Sequence, residues 1–194
     1  MGTTTNYWAA LKHLINYLRG TSNKKLGIEA EKKEEGLKIF VNANWGGKGS
    51  SSQHGFIGFS WGAPISWNSK RQTCIASSTF QAEYMALSLA AQAGMWITQV
   101  MSAIQHGVVP TLLLDNRAAI QIATNSGSSK NLRHIRREFH LINEMIAMGQ
   151  VYLDWVNSEE QKADIFTKKL GRQEVRQSME NILLECFVEG SVSI

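Results

Sequence analysis

Three carboxylates stand at positions from which a folded chain could bring them to one point. Asp115 directly follows the apolar run TLLL, and Glu83 is the one charged residue between Phe80 and Gln105. Asp164 opens the segment DIFTKKL. Carboxylates without His or Cys partners are ligands for hard cations such as Mg²⁺, and a cluster of them supports two-ion hydrolysis of phosphodiesters. The residue types and their positions therefore predict a divalent-cation site for phosphodiester chemistry.

Each carboxylate also has a structural interpretation. Asp115 can cap the helix that follows it, and the N-terminus of a helix can stabilise Glu83. Asp164 can pair with Lys168, which lies one helical turn later. A fourth acid is missing at the end of the first predicted strand, where Asn42 stands. The residues alone leave both a metal cluster and three separate structural roles open.

The pattern of apolar residues predicts the elements that must position these side chains. Strands are predicted at LKIFVNANW, GFIGFSW, APISWNS, TLLLD and VYLDWV, with a turn at Gly62 to Pro64. Helices are predicted at residues 6–19, 78–105, 116–124, 132–148 and 159–168 and near the C-terminus. The 78–105 helix is apolar on nearly every face, so we expect burial on two sides. This order predicts an α/β fold with a five-stranded mixed sheet, three antiparallel and then two parallel strands, flanked by helices.

Composition and charge narrow the class of protein. The chain has 194 residues, 43% of them hydrophobic and 19% charged, with a net charge of +4 and a pI near 9.1. These values indicate a globular protein whose mild basicity is compatible with a nucleic-acid partner. The two distant cysteines, Cys74 and Cys186, are expected to be free thiols. No signal peptide or membrane span is evident, so we expect a cytoplasmic or nuclear location and no membrane partner.

Five blocks of the chain resemble one known family. They are NYWAALKHLINYLRGT, WNSKRQTCIASSTFQAEYMAL, LLLDNRAAIQIA, RHIRREFHLINE and EEQKADIFTKKL, and they run in order from about residue 7 to residue 170. They resemble the ribonuclease H domain of Ty1/copia-type retrotransposon polyproteins, the first block resembling the segment that precedes that domain. We therefore expect an N-terminal helix and linker (1–36), a ribonuclease H-like domain (37–170), and a C-terminal amphipathic helix with a tail (171–194).

The resemblance implies a domain that cleaves the RNA strand of RNA–DNA hybrids with two Mg²⁺ ions, or with Mn²⁺ in their place. By position in the blocks, Glu83, Asp115 and Asp164 correspond to three of the four catalytic, metal-binding acids of the family. The fourth position is Asn42, because the family motif YxDADW reads FVNANW here and Asn44 replaces its second acid. An amide is neutral, and its NH₂ group cannot bind a cation. We expect weakened metal binding and a loss of activity on the order of two or three powers of ten or more.

Basic residues are candidates for contacts with the phosphates of a hybrid, although a solvated surface is the alternative interpretation. They are Lys70, Arg71, Arg133, Arg136 and Arg137. Contacts of this kind give affinity without sequence readout. Because Asn42 weakens the enzyme hypothesis, a second hypothesis is a non-catalytic module that binds nucleic acid or a protein, descended from a retroelement. The apolar stripe of the C-terminal helix, from Val175 to Phe187, is a candidate surface for oligomerisation.

Overall fold

The computed structural model describes residues 3–22, 36–104, 107–124 and 136–183. The helices are α1 (Thr3–Gly20), α2 (Thr79–Ser102), α3 (Arg117–Thr124), α4 (Arg136–Ala147) and α5 (Arg172–Leu183). The strands are β1 (Leu37–Asn44), β2 (Gln53–Ser60), β3 (Ala63–Arg71), β4 (Pro110–Leu114) and β5 (Tyr152–Trp155). Two short 3₁₀ turns, Ser158–Glu160 and Asp164–Phe166, follow β5.

The five strands form one mixed sheet in the order β3-β2-β1-β4-β5. β1, β2 and β3 pair as an antiparallel meander, whereas β4 pairs with β1 and β5 pairs with β4 in parallel. This arrangement confirms the predicted fold class of three antiparallel and two parallel strands. It also places the carboxyl ends of β1, β4 and β5 at one edge of the sheet, where sites of α/β proteins form.

The turn between β2 and β3 is tighter than the sequence predicts. Ser60 pairs directly with Ala63, so only Trp61 and Gly62 form the turn, and Pro64 already belongs to β3. Trp61 has a φ of 48° and Gly62 a φ of 80°. Two successive positive φ values are those of a type I′ turn, which matches the right-handed twist of the strands it joins. A bulky residue in the left-handed region is strained, so the hairpin rather than local preference holds Trp61 there.

Apolar side chains cover both faces of the sheet. On one face, Ile39 and Val41 pack with Leu87 and other residues of α2, α3 and α4. On the other face, Phe40 and Phe59 form a smaller cluster together with residues after β5 and with α5. Strand β1 contributes to both clusters, because successive side chains of a strand point to opposite faces of the sheet.

The long helix α2 begins at Ser78, whose side chain accepts a hydrogen bond from the backbone N–H of Gln81. It approaches the sheet closely, because a Cβ at Gly94 would lie only 2.9 Å from Cδ1 of Ile39. The helix packs on the sheet with one side and on α4 with another, as the sequence predicts. A third strip of apolar residues on its C-terminal half nevertheless remains exposed.

The prediction of a helix at 159–168 is wrong, because this segment contains the two 3₁₀ turns instead. The reason is Gln161, which has extended backbone between the turns and is buried. Its Nε2 donates to the backbone oxygens of Val41 over 3.1 Å and of Leu113 over 3.5 Å. These bonds satisfy carbonyls near the ends of β1 and β4, and a regular helix would withdraw the side chain that makes them.

Other predictions concern the termini and the linker. Helix α1 confirms the predicted N-terminal helix, and Cys74 is an exposed free thiol. No helix in the described ranges is long and apolar enough to cross a bilayer. The linker at 21–35 lies mostly outside the described residues, as do the start of the 132–148 helix, Cys186 and the C-terminal tail.

Candidate active site

The register of the sheet brings two of the predicted site positions to the same edge. Phe40 of β1 is paired with Leu113 of β4 in parallel. Continuing this register by two residues aligns Asn42 with Asp115. Because paired residues of parallel strands point to the same face, these side chains leave the sheet on the same side. The carboxyl edge of β1 and β4 is therefore where the predicted site lies.

Asn42 and Asp164 are in direct contact, together with Thr167 and Lys168, and we call these four residues the amide corner. Asn42 is only 6% exposed. Its Nδ2 donates to Oδ1 of Asp164 and, over 3.0 Å, to Oγ1 of Thr167. Its Oδ1 accepts from the backbone N–H of Ala43 over 2.7 Å. The Asn42 amide thus makes three hydrogen bonds within the protein, two as a donor through Nδ2 and one as an acceptor through Oδ1.

The second oxygen of Asp164 is also occupied. Nζ of Lys168 donates to Oδ2 of Asp164 and forms an ion pair with it. The pairing expected as the structural role of Asp164 is therefore confirmed, although the residue opens a 3₁₀ turn rather than a helix. Between them, one ammonium and one amide satisfy both oxygens of this carboxylate, so the amide corner is close to neutral.

Gly55 of β2 lets the turn that carries Asp164 approach the sheet. It lies opposite Asn42 in the register of β1 and β2. A Cβ at this position would lie 2.5 Å from Cβ of Phe166 and 3.2 Å from Cγ2 of Thr167. The missing side chain therefore makes room for the Asp164–Phe166 turn, and a larger residue would push the amide corner away from β1.

Glu83, Asp115 and Asn116 form a second group, which we call the acidic corner. Nδ2 of Asn116 donates to Oε2 of Glu83. Burial raises the pKa of Glu83, the hydrogen bond from Asn116 opposes that rise, and the charge of Asp115 adds to it. Two carboxylates thus share one part of the edge, and the charge of Asp115 adds to the effect of burial in disfavouring ionisation of Glu83.

The capping role considered for Asp115 belongs to its neighbour. Oδ1 of Asn116 accepts from the backbone N–H groups of Ala118 over 3.0 Å and Ala119 over 3.1 Å, and so caps α3. Oδ2 of Asp115 accepts from Oγ of Ser158 over 3.2 Å instead. The Asp115 side chain is therefore turned towards the loop after β5.

An arginine and a tryptophan border the acidic corner. Nε1 of Trp155 donates to the backbone oxygen of Asp115 over 3.2 Å. The guanidinium of Arg117 lies 4.0 Å from the centroid of the Trp155 ring. A stacked guanidinium keeps the N–H groups at its rim available, which is the geometry that suits phosphate oxygens. Arg117, Trp155 and Thr167 were not among the predicted site residues. Trp155 could have been predicted, because it lies at the carboxyl end of a strand, β5.

The predicted basic residues lie on different parts of the surface. Lys70 and Arg71 are exposed at the end of β3, where Arg71 pairs with Gln53 and Gln53 with Asn44. Arg71, Gln53 and Asn44 therefore lie in a row across three strands, and this row ends at the carboxyl end of β1, two residues from Asn42. Arg137 is exposed on α4. Arg133 lies outside the described residues, and of Arg136 only the backbone, at the start of α4, is described.

The residues present do not fit a two-ion centre. Within the described ranges, no group of three or more His, Cys, Asp or Glu side chains is arranged to hold a metal ion. The NH₂ group of Asn42, which repels a cation, points at Asp164, and Lys168 occupies the other oxygen of that carboxylate. The structure gives two separate corners, one with a carboxylate pair and one already neutralised. The joint metal role of Glu83, Asp115 and Asp164 stays a prediction.

Comparison with known proteins gives clear relatives but no matching protein-family model. The chain is 30% identical over 174 residues to a retrovirus-related Pol polyprotein from transposon RE2 of Arabidopsis thaliana, covering 87% of this chain and 12% of that protein. It is 29% identical over 169 residues to the Pol polyprotein from transposon TNT 1-94 of Nicotiana tabacum, covering 86% and 13%. The chain thus spans about an eighth of the length of these curated relatives.

Solved structures show the same fold at low identity. LC11-RNase H1, isolated from compost, superposes with a TM-score of 0.56 at 13% identity, covering 75% of this chain and 99% of that one. The same protein in complex with an RNA/DNA hybrid gives a TM-score of 0.53 at 13% identity, covering 68% and 93%. At this level of identity the likeness concerns the fold.

Proposed function

Because the homologues of this chain are Ty1/copia-type retrovirus-related Pol polyproteins and its fold is that of ribonuclease H domains, we propose that it binds RNA–DNA hybrids and cleaves them far more slowly than an intact ribonuclease H domain. The proposed unit is residues 37–170, with residues 1–36 and 171–194 as flanking segments. Binding would use the carboxyl edge of the sheet.

The observation that carries this proposal is the hydrogen bond from the Asn42 amide to Asp164. At this position the family motif that FVNANW resembles has a carboxylate, which would add a negative charge beside Asp164. Asn42 instead supplies a donor, and the corner becomes stable without a cation. A reaction that depends on charge held at this point loses that charge stabilisation, for which the loss is on the order of a hundredfold to a thousandfold.

Binding of a hybrid has separate support, because the contacts it needs do not involve Asn42. Arg117, stacked on Trp155, lies next to Asp115. Lys70 and Arg71 are exposed at the end of β3, the outer strand on the other side of the sheet, with β2 and β1 between β3 and β4. Cations placed along one edge suit the phosphates of a nucleic-acid strand, and recognition of a hybrid depends on its shape and 2′-hydroxyls.

The proposal includes weak binding of Mg²⁺ or Mn²⁺. The acidic corner has two carboxylates, and burial, with a smaller contribution from the charge of Asp115, raises the pKa of Glu83. Hard cations take several oxygen ligands, and Asp164 is already held by Lys168. We therefore expect affinity for either ion to be lower than that of a four-acid site, measurable by calorimetric titration of the wild type beside Asn42→Asp.

The decisive experiment is cleavage of a labelled RNA–DNA hybrid in Mg²⁺ and in Mn²⁺ by the wild type and by Asn42→Asp. We expect Asn42→Asp to cleave at least about a hundredfold faster than the wild type, because it restores charge at the blocked position. Asn44→Asp is the matched control, since Asn44 is exposed and its Nδ2 reaches only the backbone oxygen of Thr167, over 3.3 Å. That variant adds the same charge two residues away and should stay near the wild-type rate.

Strong and equal cleavage by wild type and Asn42→Asp would refute the claim of impairment.

A binding measurement on the same hybrid tests hybrid binding separately from cleavage. Arg117→Ala should weaken binding and lower the salt dependence by about one counterion, whereas Gln121→Ala, a change at an exposed uncharged position of α3, should not. Absence of hybrid binding by the wild type would favour the non-catalytic, protein-binding alternative.

A further inference from the structure

The N-terminal helix carries an apolar stripe that the other described residues leave exposed. Its members follow one another at intervals of four, three and four residues, and they are Tyr7, Leu11, Leu14 and Leu18. They are between 44% and 75% exposed. Alternating intervals of four and three residues are the spacing of a coiled-coil seam, which needs a second helix to be buried. Within the described ranges, no helix buries this stripe.

Helix α2 carries a second exposed stripe with the same spacing. Its exposed members are Leu89, Trp96 and Val100, and the partly buried Ala93, which also packs against the core, completes the spacing. Leu89 is 40%, Trp96 64% and Val100 50% exposed. Both stripes extend over eleven residue steps, or about 16 Å of helix. Two seams of equal length and equal spacing can pack against each other by placing the side chains of one between those of the other.

We propose that α1 of one copy packs along the α2 stripe of a second copy, and that the exchange is reciprocal. A symmetric dimer of this kind buries both stripes of both chains and leaves neither open. It contains two helix–helix contacts rather than one, which helps it approach the roughly 1,200 Å² that stable interfaces bury. The proposal concerns assembly and is independent of hybrid cleavage.

Charge favours the α1–α2 pairing over a pairing of two α1 helices. Helix α1 contains Lys12, His13 and Arg19 and no acidic residue. Two α1 helices side by side would therefore bring like charges together. Helix α2 has no charged residue after Glu83, so its stripe accepts a cationic helix without repulsion.

The position of the α2 stripe suits an exchange between copies. Gly94 lies against Pro110, because a Cβ there would be 3.1 Å from Cβ of Pro110. Pro110 in turn is paired with Leu37, the first residue of β1. The start of β1 therefore lies close to the middle of α2, and neither stripe includes a residue of a strand.

The test is the mass of the full chain in solution, measured by sedimentation over a range of concentrations. We expect a dimer for the wild type and a dissociation constant at least about thirtyfold higher for Leu14→Glu and for Trp96→Glu, since buried aromatic and apolar anchors dominate such contacts. Ile75→Glu is the matched control: Ile75 is 56% exposed and lies outside both stripes. It should remain dimeric.

Mixing the two variants identifies the pairing. Leu14→Glu retains an intact α2 stripe and Trp96→Glu an intact α1 stripe, so an equimolar mixture should form heterodimers through one restored contact. A dimeric Trp96→Glu alone would overturn the proposal in favour of α1–α1 pairing, and a monomeric wild type would overturn it outright. Circular dichroism verifies folding; if either variant unfolds, Leu18→Glu or Val100→Glu replaces it with the same expectation.

Discussion

The amide corner and the acidic corner lie at the same edge of one sheet, yet they treat negative charge in opposite ways. In the amide corner, Asp164 receives hydrogen bonds from Asn42 and from the ammonium of Lys168. In the acidic corner, Glu83 receives one hydrogen bond from the Asn116 amide and lies within the electrostatic reach of Asp115, and its pKa is raised. One corner is satisfied internally, and the other retains electrostatic repulsion.

The difference shows how one side chain can change the charge balance of a group of residues. Sites that gather like charges are destabilised until a ligand arrives, and removing that repulsion stabilises the fold. Asn42 removes it where a carboxylate would face Asp164. Glu83 and Asp115 keep it, since no comparable change has occurred there. Removing charge should therefore have opposite effects on stability in the two corners.

The largest expected effect is that of Asn42→Asp on stability. The variant loses the amide donor to Asp164 and Thr167 and places a second carboxylate against Asp164. We expect the free energy of unfolding in EDTA to fall by about 3 kcal/mol and to recover in millimolar Mg²⁺, while the wild type responds little to either. Urea unfolding monitored by circular dichroism measures both. An unchanged stability of the variant in EDTA would contradict the account of the amide corner.

Next in size is Asp164→Asn. This change removes the carboxylate that accepts from Asn42 and Lys168, leaving a neutral group that matches neither donor as well. We expect the free energy of unfolding to fall by about 2 kcal/mol, the range for hydrogen bonds to charged groups. Glu160→Gln, an exposed position in the adjacent turn, is the control and should change little. If both variants behave alike, Asp164 is not held as described.

Glu83→Gln should have the opposite sign. Burial and the charge of Asp115 raise the pKa of Glu83, so its ionised form is less favourable in the folded than in the unfolded chain. Glutamine can still accept from Asn116, and we expect a gain of about 0.5–1 kcal/mol at pH 7. The difference from wild type should vanish below pH 4.5, the ordinary pKa of a glutamate, where both forms are neutral. A destabilised Glu83→Gln at pH 7 would remove the contrast between the corners.

A pH-dependent effect is expected from a residue outside both corners. His54 of β2 is buried with neither ring nitrogen bonded, and burial together with Lys70 lowers its pKa below 6.5. The unfolded chain therefore binds this proton first, and stability should decline as the pH falls below 6.5, by at most about 1.4 kcal/mol per pH unit. His54→Phe should flatten this decline between pH 6.5 and 5, whereas a change at the exposed His140 should not. An identical slope in His54→Phe would exclude this residue as its source.

The alternation and spacing of apolar residues were sufficient for the sheet and for most helices. Strand patterns in β1 and β2 and the uninterrupted apolar run of β4 are local signals, because each depends on the residues of one segment. The prediction of a helix at 159–168 was wrong because of contacts with distant parts of the chain. Its helical pattern is interrupted because Gln161 hydrogen-bonds to Val41 and Leu113, which are distant in the sequence.

The residues of the candidate site also differ in whether the sequence alone could identify them. Residue types and their positions identified Glu83, Asp115 and Asp164 and the missing acid at Asn42 as positions of interest, but they did not say which of these residues touch. Arg117 and Trp155 escaped notice because their stacking depends on β4 and β5 ending side by side. The blocks favoured a single ring of acids, whereas the described residues form two corners.

By itself, the sequence determined the order of elements, the mixed sheet, the similarity to retroelement polyproteins and the presence of an amide, Asn42, at the end of the first strand. Only the tertiary structure decided that this amide binds Asp164, that Lys168 neutralises the same carboxylate, and that two helical stripes are left uncovered. The physical reason is that periodicity is a property of neighbouring residues, whereas hydrogen-bond partners and exposed surface depend on which distant segments the sheet brings together.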